Sequence, residues 1–288
     1  MIRHPERNAP RSEPDVITGR RSIRSATAHS SGRLARAAAG IVCALALCAP
    51  CAASQGAGSR LLEDTRLYFT APLRWDTEDW SYFGGALLAI GAAHEYDDNV
   101  RAHFTAGSST ALDGQDRHSM RDAAPAAAIV AGTWAFAMLL DDSAGRHETW
   151  DMLEAAGFSG VSTYLLKYAA GRKRPNETTR VDDWSHGGDS FPSLHASAAF
   201  AIGTVLAESG GDDYRWVRRV LGYGIAGTTA YVRVHDNVHW TSDVVAGAAL
   251  GIASAHFVMN RDSERANRLA FMVAPVDGGA MLSISYRP

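Results

Sequence analysis

Two histidines, His195 and His239, stand among residues whose types and spacing fit one kind of chemistry. In chain order these are Lys167, Arg174 followed by Pro175, Pro192-Ser193-Leu194-His195, Arg233, His239 and Asp243. Side-chain cations hold an anion, an imidazole attacks it or moves its protons, and a carboxylate orients an imidazole. Taken jointly, the set fits holding a phosphate and transferring it. The members are tens of residues apart, so only a fold can gather them.

Each member has its own argument. His239 and Asp243 are spaced i, i+4, which puts them on one face at the start of a helix. A carboxylate on one ring nitrogen fixes the tautomer and leaves the other free to attack. His235, His239 and Asp243 at successive fours also permit a metal site. Pro192 and Ser193 suit the first turn of a helix, whose unpaired N–H groups form an anion site. Ser193 adds a hydroxyl there, and His195 is placed to protonate a leaving oxygen. Lys167 and Arg174 are seven apart and Pro175 stops their helix, while Arg233 ends an apolar helix where a charge needs a partner.

Apolar periodicity predicts six helices, at about 77–96, 123–140, 147–170, 193–207, 216–234 and 241–259. A polar loop of about two dozen residues after the first has a length that suits a lid. Residues 60–76 read as an extended lead-in with a short strand at 67–70. Strand periodicity at 269–275 and 280–286, around Asp277-Gly278-Gly279, predicts a C-terminal β-hairpin. The expected fold is therefore all-α, a six-helix antiparallel bundle with that hairpin. If consecutive helices run antiparallel, the end of the third, the start of the fourth, the end of the fifth and the start of the sixth meet at one end of the bundle. Lys167 and Arg174, then Ser193 and His195, then Arg233, then His239 and Asp243 occupy those four places.

The N-terminal sixty residues differ in kind. Residues 1–36 are rich in Arg, Ser and Pro and read as a disordered basic leader. The run AAAGIVCALALCA at 37–49 follows Arg33 and Arg36, and small residues continue to 53. That pattern (37–53) reads as the apolar region of a secretory signal peptide, too short to span a bilayer comfortably. The domain plan is then leader 1–36, signal region 37–53, helical domain 60–268 with core motifs at 167–243, and hairpin 269–288. All three cysteines lie at 43–51, which excludes a disulfide framework or a zinc–cysteine site in the body. A net charge of -3 gives no reason to expect nucleic acid as partner.

At these residues the sequence resembles the type 2 phosphatidic acid phosphatase and vanadium haloperoxidase superfamily, over about residues 150 to 255. Its pattern is K-x6-R-P, then P-S-G-H, then S-R-x5-H-x3-D. Lys167 to Arg174-Pro175 matches the first. Pro192-Ser193-Leu194-His195 matches the second, with Leu194 in place of glycine. Val232-Arg233, His239 and Asp243 match the third, with Val232 in place of serine. The resemblance implies a metal-independent phosphohydrolase without cofactor on a helical bundle. In it His239 is the nucleophile forming a phosphohistidine, Asp243 orients it, and His195 is the general acid. Lys167, Arg174, Ser193 and Arg233 hold the phosphoryl oxygens.

The expected substrate is a phosphorylated small molecule or a lipid phosphate. The alternatives are a vanadate-dependent haloperoxidase using the same cage, or a non-enzymatic metal-binding envelope bundle using His235 and His239. A mean hydropathy of -0.14 is low for six membrane spans, although the second helix is long and uncharged. After an exported N-terminus, six spans would also put the active end on the cytoplasmic side. The expectation is a periplasmic or exported globular bundle, with association to a membrane surface allowed.

Overall fold

The computed structural model describes residues 57–106, 119–139, 142–212, 214–266, 269–276 and 279–286. The expected leader and signal region lie outside the described residues, as do residues 107–118 of the expected polar loop. Among the described residues eight helices follow one another. They are α1 (Ala57–Thr70), α2 (Thr77–Glu95), α3 (Asp97–Thr105), α4 (Ser119–Leu139), α5 (Ser143–Ala170), α6 (Leu194–Glu208), α7 (Arg215–His235) and α8 (Thr241–Ala266). Two strands, β1 (Leu269–Val276) and β2 (Gly279–Tyr286), pair antiparallel with Leu269 opposite Tyr286.

The six helices expected from periodicity fall on α2 and α4 to α8. Two others were not expected. The segment read as an extended lead-in is α1, because Tyr68 finds a place on the bundle. Its ring stacks on Phe158 at 4.7 Å and meets Phe257 edge-on at 5.1 Å. Its hydroxyl shares a hydrogen bond with Ser254 (2.8 Å) and accepts one from Ser162 (3.1 Å). The first nine residues of the expected loop form α3, with Asp97 and Asp98 in its first turn.

Helix ends follow local chemistry. Asp76 and Asp79 form a reciprocal capping box at the start of α2. At α5, Asp142 accepts from the N–H groups of Ala144 (2.9 Å) and Gly145 (3.1 Å). Its other end closes at Gly171, whose φ of 56° is left-handed, with its N–H on the Lys167 carbonyl.

The core lies between α5, α6, α7 and α8, and α6 is at its centre. Its buried positions are nearly all small: Ala196, Ser197, Ala199, Ala201, Gly203, Thr204 and Ala207. Small residues let backbones approach closely. A Cβ on Gly203 would lie 2.5 Å from the Gly222 carbonyl oxygen of α7, and one on Gly247 would lie 2.5 Å from the Ser193 carbonyl oxygen.

Contacts at both ends give the helix directions. Leu194 packs over Gly160, while Ser209 bonds Glu148, so α6 runs against α5. Arg218 near the start of α7 bonds the Ser209 carbonyl at the end of α6. Arg261 late in α8 pairs with Asp151 and Glu154 early in α5. The end of α5 and the starts of α6 and α8 therefore share one end of the bundle, and the end of α7 joins them.

Because Gly203 and Gly222 meet backbone to backbone, Gly203→Ala should lower thermal stability by about 1–3 kcal/mol, the usual cost of overpacking. Gly224→Ala, where a Cβ would meet nothing within 4 Å, serves as the control and should leave the melting temperature unchanged or raised. Thermal denaturation of the two variants decides it.

Candidate active site

The segment from Gly171 to Ser193 lines the shared end, and its own backbone hydrogen bonds tie it down. Gly188 N–H bonds the Gly171 carbonyl (3.0 Å) and Ser190 N–H bonds that of Arg172 (2.9 Å). A Cβ on Gly188 would collide with the Arg172 backbone, so this approach requires glycine. Ser193 then caps α6. Its hydroxyl accepts from Ala196 N–H at 3.4 Å, and its own N–H donates to the Asp243 carbonyl at 2.9 Å. That last bond fixes the start of α6 against the start of α8.

Three cations face this end. Lys167, in the last turn of α5, donates to the carbonyls of Asp189 and Ser190. Arg174 grips the Asp189 carboxylate with Nε at 2.8 Å and Nη2 at 3.2 Å. Arg233, in the last turn of α7, is 1% exposed, and its carbonyl accepts from the N–H groups of Val238 and His239. His239 is therefore hung directly from a residue in the last turn of α7.

His239 is buried, and its Nδ1 lies 3.5 Å from Asp243 Oδ2. This separation is long for a hydrogen bond. The same oxygen already accepts from Ser190 Oγ (2.5 Å) and Trp240 N–H (2.9 Å). Burial pushes the imidazole's pKa well below the ordinary histidine value, and the charges of Arg174, Lys167, Arg233 and His195 push it the same way. A neutral ring with a lone pair facing cations is what a nucleophile for an anionic centre needs.

Lys167 is lowered to about 8, chiefly by burial, with Asp189 opposing the shift and Arg174 adding to it. Burial disfavours the Asp189 carboxylate. The Arg174 hydrogen bonds and charge, then Lys167 and His239, outweigh that and hold its pKa far below the usual range. Asp189 thus stays an anion among the cations.

The structure gathers Lys167, Arg174, Ser193, His195, Arg233, His239 and Asp243 at one end. His235 turns away: half-exposed, it pairs with Asp236 at 3.0 Å and lies against Tyr231 and Phe104. Among the described residues no three His, Cys, Asp or Glu side chains gather as a metal-holding group. Leu194, where the resembled pattern has glycine, lays its side chain over Gly160 of α5. Its added bulk is absorbed by helix packing on that side.

Sequence reasoning missed four participants. Asp189 and Ser190 precede the proline of the second motif and pass for loop residues. Arg172 passes for a helix-end charge beside Arg174. Asp97 comes from α3, 75 residues upstream of Arg172, and no spacing links it to the site. Its one sequence signal is an acid pair, Asp97-Asp98, of the kind that opens a helix.

Residues 148–266 match the model of the PAP2 superfamily, the class that this helical segment is similar to. Two curated proteins are similar over part of the chain. A lipid A 1-phosphatase of Porphyromonas gingivalis is 35% identical over 113 residues, covering 38% of this chain and 23% of that protein. A PA-phosphatase related-family protein of Dictyostelium discoideum is 28% identical over 129 residues, 39% of this chain and 48% of that one. The chain spans less than half the length of either. Among solved structures, Aquifex aeolicus LpxE is 18% identical, with a TM-score of 0.36 over 56% of this chain and 93% of that one. The first transmembrane PAP2-type phosphatidylglycerolphosphate phosphatase from Bacillus subtilis is 20% identical, with a TM-score of 0.41 over 64% of this chain and 95% of that one.

The lowered pKa of Lys167 sets an alkaline limit. If its charge binds substrate, kcat/KM should fall as pH rises through about 8, because kcat/KM reports groups of the free enzyme. Lys167→Arg keeps its proton through that range and should remove this limb. A limb that persists unchanged in Lys167→Arg assigns it to another group.

Proposed function

We propose that this chain is a PAP2-type phosphatase that works through a phosphohistidine on His239, on a six-helix bundle of that superfamily's kind. The observation that carries it is a buried imidazole backed by Asp243 and confronted by Lys167, Arg174 and Arg233. His239 Nε2 attacks phosphorus while Asp243 accepts a hydrogen bond from Nδ1–H and, as a carboxylate, stabilises the ring as it becomes cationic. The bond from phosphorus to the leaving oxygen breaks, and His195 gives that oxygen its proton. Water then attacks the phosphohistidine, His195 takes back a proton, and phosphate leaves from the restored His239. Lys167, Arg174 and Arg233, with the Ser193 hydroxyl, hold the equatorial oxygens throughout.

A phosphomonoester or pyrophosphate carried on a lipid is the substrate class the surroundings favour. Large apolar side chains stand in the open on the last turns of α5, with Leu165 54% and Tyr168 91% exposed beside Lys167. The flanks of α2 and α4 are similar, with Leu88 77% and Leu139 83% exposed. Exposed apolar surface on this scale marks a membrane or partner contact. One described helix, at Thr241–Arg261, is long and apolar enough to cross a membrane, though half of it is buried inside the protein. We read the protein as membrane-associated, with the phosphate site at the edge of an apolar surface, and as exported to the periplasm.

Purified protein in detergent, assayed on phosphatidate, a polyprenyl diphosphate and p-nitrophenyl phosphate, tests the reading. Wild type should hydrolyse at least one lipid phosphate faster than the soluble ester. His239→Ala should lose about 10³-fold or more on every substrate while keeping its melting temperature. A variant with a tenth of wild-type turnover removes His239 as nucleophile, and equal rates on lipid and soluble esters remove the lipid preference.

The role of His195 separates by leaving group. His195→Ala should slow single-turnover transfer from an alkyl phosphate by roughly 100-fold or more, within the range of general acid catalysis. From p-nitrophenyl phosphate, whose leaving group departs as an anion, the loss should be clearly smaller. Equal losses would leave His195 as a binding group only.

A further inference from the structure

Behind the His239 and Asp243 pair lies a buried polar cluster that the three motifs do not contain. Arg172 has no exposed surface, and its guanidinium sits between the indoles of Trp184 and Trp240, 4.5 and 5.1 Å from their centroids. Nη1 donates to Asp243 Oδ1 at 2.7 Å, and Nη2 donates to Asp97 Oδ2 at 2.8 Å. Ser242 closes the ring. Its hydroxyl accepts from Arg172 (2.8 Å) and donates to Asp97 Oδ2 (2.6 Å), and its N–H donates to Asp97 Oδ1 (2.9 Å). Asp97 and Asp243 are as buried as the arginine between them.

The division of labour at Asp243 is what gives the cluster a function. Oδ2 faces His239 and takes Ser190 and Trp240, while Oδ1 takes Arg172. A carboxylate held at one oxygen can still turn; held at both, its plane is set. Asp97, from the separate helix α3, aims the guanidinium that holds the second oxygen.

We propose that Asp97 and Arg172 are positioning residues for the transfer reaction: Asp97 fixes Arg172, Arg172 fixes the rotation of the Asp243 carboxylate, and that rotation sets the His239 ring. This rests on the phosphohistidine reading above. The rival is a cluster that holds the fold and nothing more. The two differ in whether Asp97 acts through Asp243.

The groups facing His239 are Arg174, Lys167, Arg233 and His195, with Asp243 behind it and Asp189 across from it. Asp97→Asn removes a charge from the far side of Arg172 and preserves shape. Two readouts apply. One is kcat and KM on p-nitrophenyl phosphate. The other is the His239 titration midpoint, followed by NMR on full-length protein with carbon-13-labelled histidine in detergent, and assigned by its absence in His239→Ala. Asp97→Asn should lower kcat by about 10- to 100-fold with KM changed less than about 2-fold, the signature of lost alignment without lost binding. The midpoint should move to lower pH, since the unshared guanidinium draws the Asp243 charge away from the ring.

In an Asp243→Asn background, Asp97→Asn should change neither quantity further. Equal effects in both backgrounds, or an unmoved midpoint, would overturn the proposal in favour of a structural cluster. If Asp97→Asn does not fold, Ser242→Ala carries the same test, since it deletes only the hydroxyl bridge. It should lower kcat at constant KM, and an unchanged kcat would overturn the proposal. Wild-type protein without turnover would sink the phosphatase reading, while the NMR cycle would still decide the coupling.

Discussion

A guanidinium with no exposed surface, held between two carboxylates with none, is the constraint on which the active end depends. Taking such charges out of water is expensive, and only full pairing offsets it. Arg172 meets that condition with two carboxylates, a serine hydroxyl, the Val181 carbonyl and two indole faces. Removing one partner of a buried pair costs about 3–5 kcal/mol because the other charge is stranded. Each member of the cluster therefore depends on the others. It ties α3, the loop after α5 and the start of α8 to one another at the place where His239 must be aimed.

The electrostatics of the site follow from what stands on each side of His239. Arg174, Lys167, Arg233 and His195 act on it from one side, and Asp243, itself held by Arg172, stands on the other. The imidazole lies on the boundary. Burial and the cations lower its pKa, and in the proposed reaction Asp243 would stabilise the charge it gains. Asp189 meanwhile occupies Arg174 with its own carboxylate. In the proposed reaction a phosphate would meet Arg174 by exchange of anions.

Much of this was legible in the sequence, for identifiable reasons. The seven motif residues were findable because each ends or begins a helix, and helix ends are marked by proline, serine and charge. Alternation of helix direction then predicted their convergence, which the contacts at both ends of α5 to α8 bear out. Spacing could not reveal Asp97, because its partners Arg172 and Ser242 are 75 and 145 residues away and its own surroundings read as a loop. Nor could it place α1, whose stability comes from Tyr68 reaching Phe158 and Ser254. Mean hydropathy hid the open apolar flanks for a related reason. It averages charged loops with faces such as Leu165 and Tyr168, while membranes and partners meet the faces alone.

The meeting of Gly203 with Gly222 contains no side chain, so the spacing of α6 and α7 there is set by backbone against backbone. That point acts as a fulcrum. His195 sits eight residues from it on one helix and Arg233 eleven on the other, lever arms of about 12 and about 16 Å. A tilt of about 5° at the crossing would carry either tip by about 1 Å, a displacement that can cost about 100-fold in rate. A pair of glycines far from both residues thereby sets the tolerance to which His195 and Arg233 are held.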